Sequence, residues 1–189
     1  MAKIMHARQI ADLPKPYHTA AMAQIKKQTD RGAAIVGAAY IDLVVREALT
    51  ARMGDLPDIV TLLFENRGPL QDFGARIQLA FAIGIIGRGA YLDLCIIKDA
   101  RNAFAHSAEA MDFDHADVKA RCSRLWFAKT IRYGEYPMPS TAKERFIRTI
   151  ELLADLLYEN IRLHKARLSP SQVLMMGPPS PKAASNSKR

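Results

Sequence analysis

Residues 140–165 read STAKERFIRTIELLADLLYENIRLHK. Ile147, Ile150, Leu153 or Ala154, Leu157 and Ile161 recur at threes and fours, the spacing that gathers side chains on one face of a helix. The stretch also carries its own start signal. Ser140-Thr141 followed by Glu144 is a capping box, in which a hydroxyl and a carboxylate satisfy the backbone N–H groups that a first turn leaves open. Elsewhere in the chain apolar residues again recur at threes and fours, and no segment alternates with period two over the length of a strand. The expected class is therefore all-α: a single-domain bundle of about five to seven helices with no sheet.

Working back from this helix, the other elements follow from caps and breakers. Asp30 is the expected N-cap of a long helix to about Met53, which Gly54 stops. Ile35, Ala39, Leu43 and Leu49 are its expected core stripe. Ala33, Ala34, Gly37, Ala38 and Ala39 are small enough to admit a close neighbouring helix. An amphipathic piece from about Tyr17 to Lys27 precedes it. Pro57 suits the first turn of a short helix, Asp58 to Glu65. The next helix starts near Phe73 and is expected to break at Gly87-Arg88-Gly89. Another runs from about Ala90 to Ala105, with Phe104 in the core. Asp114 is the expected cap of one helix to about Thr130, and Tyr133 to Pro139 read as a loop.

The chain has 189 residues, 49% apolar and 24% charged, which is a globular composition. Its net charge of +8 is unevenly placed. Residues 1–27 hold five basic side chains and one acid, giving +4; residues 169–189 hold three bases and no acid, giving +3; residues 28–168 hold nineteen bases and eighteen acids, giving +1. The division expected is a basic, partly helical segment (1–27), a helical domain (28–168) and a disordered Pro/Ser/Lys-rich tail (169–189). Two cysteines, Cys95 and Cys122, read as reduced thiols of a cytosolic protein rather than a disulfide framework. No signal-peptide core, membrane-length apolar run or zinc-ligand spacing occurs, so the expected protein is cytoplasmic, off the membrane and without metal or cofactor. Gly84, Gly87 and Gly89 follow no strand and imply no phosphate-cradling loop.

Two segments carry the residue types of chemistry. Arg101-Asn102-Ala103-Phe104-Ala105-His106 joins a permanent cation, an amide and an imidazole that titrates near neutrality. These parts suffice for phosphodiester cleavage without a metal, and equally for a polar helix end in which Arg101 meets a carboxylate and Asn102 or His106 caps carbonyls. Positions five apart differ by about 140° on a regular helix, so Arg101 and His106 converge only where the helix breaks or a second chain completes the site. Lys119, Arg121, Arg124, Lys129 and Arg132 surround Trp126 and Phe127. Cations beside aromatics suit nucleic acid or another anion; aromatics at helical spacing also suit a core, with the cations a solvated face. Asp42 and Glu47, amid apolar residues, are expected to bind Arg76 or Arg101 across the bundle.

A succession of motifs adds to this. Arg31-Gly-Ala-Ala-Ile-Val-Gly-Ala-Ala, Gly68-Pro-Leu, Phe73-Gly-Ala-Arg76-Ile-Gln-Leu-Ala-Phe81-Ala-Ile-Gly84 and Leu94-Cys-Ile-Ile-Lys98-Asp-Ala-Arg101-Asn-Ala-Phe-Ala-His106 together resemble the mannitol operon repressor family over about residues 28–165. The resemblance implies an all-helical transcriptional regulator that works through a protein partner, and this chain likewise offers no helix-turn-helix with base-reading side chains. The hexad is also similar to the R-x(4-6)-H signature of HEPN-domain proteins, with Asn102 at the favoured polar second position. That likeness implies a homodimer or higher oligomer acting on RNA, with His106 as general acid or base, Arg101 stabilising phosphate charge and Asn102 orienting it. Regulator and metal-independent endoribonuclease both stand as readings of the sequence.

Overall fold

The computed structural model of the protein describes residues 15–53, 57–65, 67–107, 111–130 and 138–167. Among these residues eight helices form and no strand. They are α1 (Lys15–Lys26), α2 (Asp30–Met53), α3 (Pro57–Phe64), α4 (Phe73–Ala82), α5 (Arg88–His106), α6 (Ala116–Cys122), α7 (Phe127–Thr130) and α8 (Ala142–Arg167). Arg132, the termini and the segment expected as a tail lie outside the described residues.

The two longest helices, α2 and α8, make the most extensive helix pair, and α2 also packs on α1, α4 and α5. Gly37 explains how close the main pair comes: a Cβ there would lie 2.9 Å from Cδ1 of Ile150. The α8 stripe is as expected, with Ile147, Ile150, Leu153, Ala154, Leu157 and Ile161 all buried. The α2 stripe is as expected only at Leu49, which is fully buried. Ile35 and Ala39 face solvent and Leu43 is half-buried, whereas Ala34, Ala38, Ile41, Val45 and Ala48 fill the core. Partners surround α2 on several sides, so small and large apolar residues share the interior while Ile35 and Val36 remain on its outside. Phe104 stacks on Phe113, which stacks on Phe146, with ring centroids 5.0 and 5.2 Å apart, joining α5, the segment before α6, and α8.

Helix ends show which polar residues are committed to structure. Glu144 accepts from Ser140 N, Ser140 Oγ and Thr141 N, while Thr141 Oγ1 accepts from Glu144 N, completing the capping box. These bonds hold the Glu144 carboxyl below its ordinary range. At the start of α2 the cap is Thr29, whose Oγ1 accepts from Gly32 N. Asp30 instead reaches outward, accepting from Phe113 N at 3.0 Å and pairing with Lys143 at 2.9 Å. Burial raises its carboxyl, but those two partners outweigh burial and hold it below the usual value. Arg31 donates to the Ser107 carbonyl at 2.8 Å. The break after α4 falls earlier than Gly87: Ile85 N bonds back to Ala80 O, and Gly84 takes φ 72°, a left-handed conformation that glycine adopts without strain.

The helix expected over 114–130 is two, α6 and α7, separated by residues 123–126. Asp93 of α5 is the cause. Its carboxylate is fully buried and accepts from Trp126 N at 2.8 Å and Phe127 N at 2.9 Å. Those N–H groups are thereby the capped start of α7 rather than the continuation of α6. Both cysteines are free; burial pushes the Cys122 thiol up to about 12. No described helix is long and apolar enough to cross a membrane.

A polar seam runs between α1, α2 and α8. His18 Nε2 faces Asp155 Oδ1 at 3.3 Å, and its Nδ1 is hydrogen-bonded with the Tyr40 hydroxyl. Further along α2, Glu47 is only 4% exposed, and burial pushes its carboxyl up to about 7 against the pull of Arg46 and Lys165. Thr50 Oγ1 is buried without a hydrogen-bond partner among the described residues. As pH rises from 4.5 to 7 the unfolded chain releases the Glu47 proton while the folded chain keeps it, so Glu47's contribution to stability is complete below that window and declines through it. Glu47→Gln should remove the decline. In urea melts across this range the variant is expected to gain on the wild type by on the order of 3 kcal/mol towards and above neutrality; a constant difference at every pH would refute the assignment.

Candidate functional site

The hexad 101–106 occupies the last turns of α5, and the helix runs unbroken through His106. Ser107 is its C-cap, with Ser107 N bonded to Ala103 O. A regular helix keeps Arg101 and His106 about 140° apart. Arg101 lies towards α2, near enough for its charge to act on Asp42, and donates to Asn102 Oδ1 at 3.0 Å. His106 is exposed. One chain therefore does not bring the three residues around a single phosphate. The cap on this helix end comes from Arg31 of α2, whose guanidinium takes the Ser107 carbonyl.

Asp42, expected to bind Arg76 or Arg101 across the bundle, pairs with Arg76. Arg76 Nη1 donates to Asp42 Oδ1, Nε donates to Leu70 O at 2.7 Å and Nη2 donates to Gln71 O. Burial pushes Asp42 above the usual carboxylate range, and Arg76 is the main charge opposing that. Arg46 sits over the Phe64 ring, 5.2 Å from its centroid, and pairs with Glu65 at 3.1 Å. No ion pair joins Glu47 to Arg76 or Arg101 among the described residues. This constellation ties the connection between α3 and α4 to α2.

The outer face of α5 is different. Leu92, Cys95, Asp99, Asn102 and His106 succeed one another at threes and fours, hence along one stripe. Leu92, Cys95, Ile96 and Asp99 form one wall of a cavity of about 190 Å³, and Arg121 and Arg124 form the other. Of the five cations expected to act together, two thus share a groove. Lys119 pairs with Asp114 at 3.4 Å, Lys129 is exposed on α7, and Arg132 lies outside the described residues. Asp99 is answered by Lys98 at 3.3 Å.

The aromatics beside these cations divide. Phe127 is core, 7% exposed, but Trp126 is 49% exposed. The Trp126 ring meets Phe127 edge-on, centroids 5.1 Å apart at 77°, and lies against Gly89, where a Cβ would come within 3.1 Å of it. Asp93, which positions this segment, was not singled out in the sequence. Its signal was an aspartate on the same helical stripe as Ala90, Ile97 and Ala100, all buried. Among the described residues no three His, Cys, Asp or Glu side chains gather as a metal set.

Residues 55–158 match the family described as mannitol repressor. The match covers α3 to α7 and most of α8 and starts beyond α2, a shorter span than the motif succession beginning at Arg31. Neither the curated proteins nor the solved structures contain a match to the chain.

Proposed function

The chain belongs to the mannitol repressor family, and from that premise we propose that it regulates transcription through protein contacts rather than by reading bases itself. The family match carries this reading. The short pair α6–α7 supports its second half: α7 has four residues, two of them, Phe127 and Ala128, buried. A recognition helix needs several exposed side chains aimed into the major groove, which a four-residue turn with Phe127 and Ala128 buried does not supply. We propose the cytoplasm as its place of action, since regulators of transcription work on soluble machinery, and keep the homo-oligomer as what the likeness of the hexad to HEPN-domain proteins implies.

The test has two arms. Deleting the gene is expected to raise transcription of a mannitol-uptake operon, while the purified protein alone gives no sequence-specific footprint on that operon's DNA. An unchanged transcript would remove the regulatory role; a specific footprint by the protein alone would replace protein contacts with direct reading. The ribonuclease reading is checked alongside. With helix α5 regular through His106, labelled RNA incubated with the protein in EDTA is expected to stay intact for both the wild type and His106→Ala. Cleavage by the wild type that disappears in the variant would instead establish a composite site made by two chains.

A further inference from the structure

We infer that the Trp126 face, with Arg121 and Arg124, binds single-stranded nucleic acid, the indole stacking on a base and the two guanidiniums holding adjacent phosphates. The inference goes beyond the regulatory reading and does not depend on it.

Half of the largest aromatic side chain in the protein faces solvent, and it does so from a fixed position. Asp93 takes the Trp126 and Phe127 N–H groups, Phe127 braces the ring from its edge, and Gly89 leaves room for the ring to lie against α5. A platform held this way loses little freedom when a base settles on it. Leu92, one turn beyond Gly89, begins the groove lined by Arg121 and Arg124, and Arg124 precedes Trp126 by two residues.

The charge on this face favours phosphate. Among the described residues neither Arg121, Arg124 nor Lys129 has a carboxylate within ion-pair distance. Three of the acids nearby are otherwise engaged: Asp93 by backbone N–H groups, Asp99 by Lys98, Asp114 by Lys119. Asp117, one turn before Arg121, is exposed and makes no such pair. A single strand offers the matching alternation, since every base has a stacking face and every step a phosphate. A duplex hides its base faces and offers only phosphates.

Trp126 is the sole tryptophan, so its emission reports this face alone. The probe is the twelve-residue oligonucleotide dT12, which lacks the 2′-hydroxyl that RNA cleavage would need. Saturable quenching of the full chain is expected. The slope of log affinity against log salt should be about −1.4 to −2, as for two or three phosphates neutralised. Arg121→Ala and Arg124→Ala should each reduce that slope by about 0.7. With labelled dT12 read by anisotropy, Trp126→Ala should weaken binding roughly tenfold or more while Trp126→Phe restores most of it. The tail variant K182A/K188A/R189A should leave Trp126 quenching unchanged. Circular dichroism confirms the fold of each variant. Absence of quenching, undiminished binding by Trp126→Ala, equal affinity for a dT12·dA12 duplex, or quenching by poly-glutamate but not by dT12 would each overturn the inference, the last in favour of an acidic protein partner.

Discussion

Arg76→Ala is expected to lower the unfolding free energy by about 3 kcal/mol, read as an earlier midpoint in urea with an unchanged slope. The guanidinium side chain is only 12% exposed and spends three donors at once, on Asp42, Leu70 O and Gln71 O. Removing it strands a half-buried carboxylate and frees two carbonyls of the connection that leads into α4. The loss is expected to shrink in acid, because burial already pushes Asp42 up and, without Arg76, protonation becomes its relief. Arg76→Met combined with Asp42→Asn should recover part of the stability, since neither partner then remains charged. A single-variant loss below about 1 kcal/mol would mean that the constellation is only a surface ion pair.

Asp93→Ala is expected to cost a similar amount, about 3 kcal/mol, by leaving one buried and one part-buried N–H group without an acceptor. It differs from Arg76→Ala in where the damage appears. Residues 123–130 lose their anchor, so Trp126 emission should shift to the red and become easier to quench with iodide before the remaining helices unfold. Asp93→Asn keeps one acceptor oxygen and should fall between wild type and alanine. If Asp93→Ala melts as a single step with unaltered Trp126 emission in the folded state, Asp93 does not hold the segment locally.

How much of this was legible varies with the reach of the interaction. The α8 stripe and its capping box involve neighbours within a turn or two, and each is visible in residues 140–161 alone. The pairing of Asp42 with Arg76 was foreseeable because two opposite charges embedded in apolar helices have few other partners. The α2 interior was misjudged for a local reason: apolar and small residues surround the helix, so no one face stands out, and only its neighbours decide that Ala34 and Ala38 go inside while Ile35 does not. The division between α6 and α7 depends on an acceptor 33 residues away in sequence, beyond the reach of propensity or periodicity. The same contact turned Trp126 outward and Phe127 inward. In the hexad the residue types were evident from the start, but their meaning rested on whether α5 ends at Arg101 or at His106.

The first turn of α2 holds more of the molecule than its length suggests. Asp30 binds the backbone at Phe113 and the ammonium of Lys143 on α8, while the next residue, Arg31, binds the backbone at Ser107. Both flanks of the passage from α5 to α6 are therefore pinned to one pivot. The first turn of α2 thus fixes residues 107 and 113 relative to each other and, through residue 107, sets where the His106 end of α5 lies.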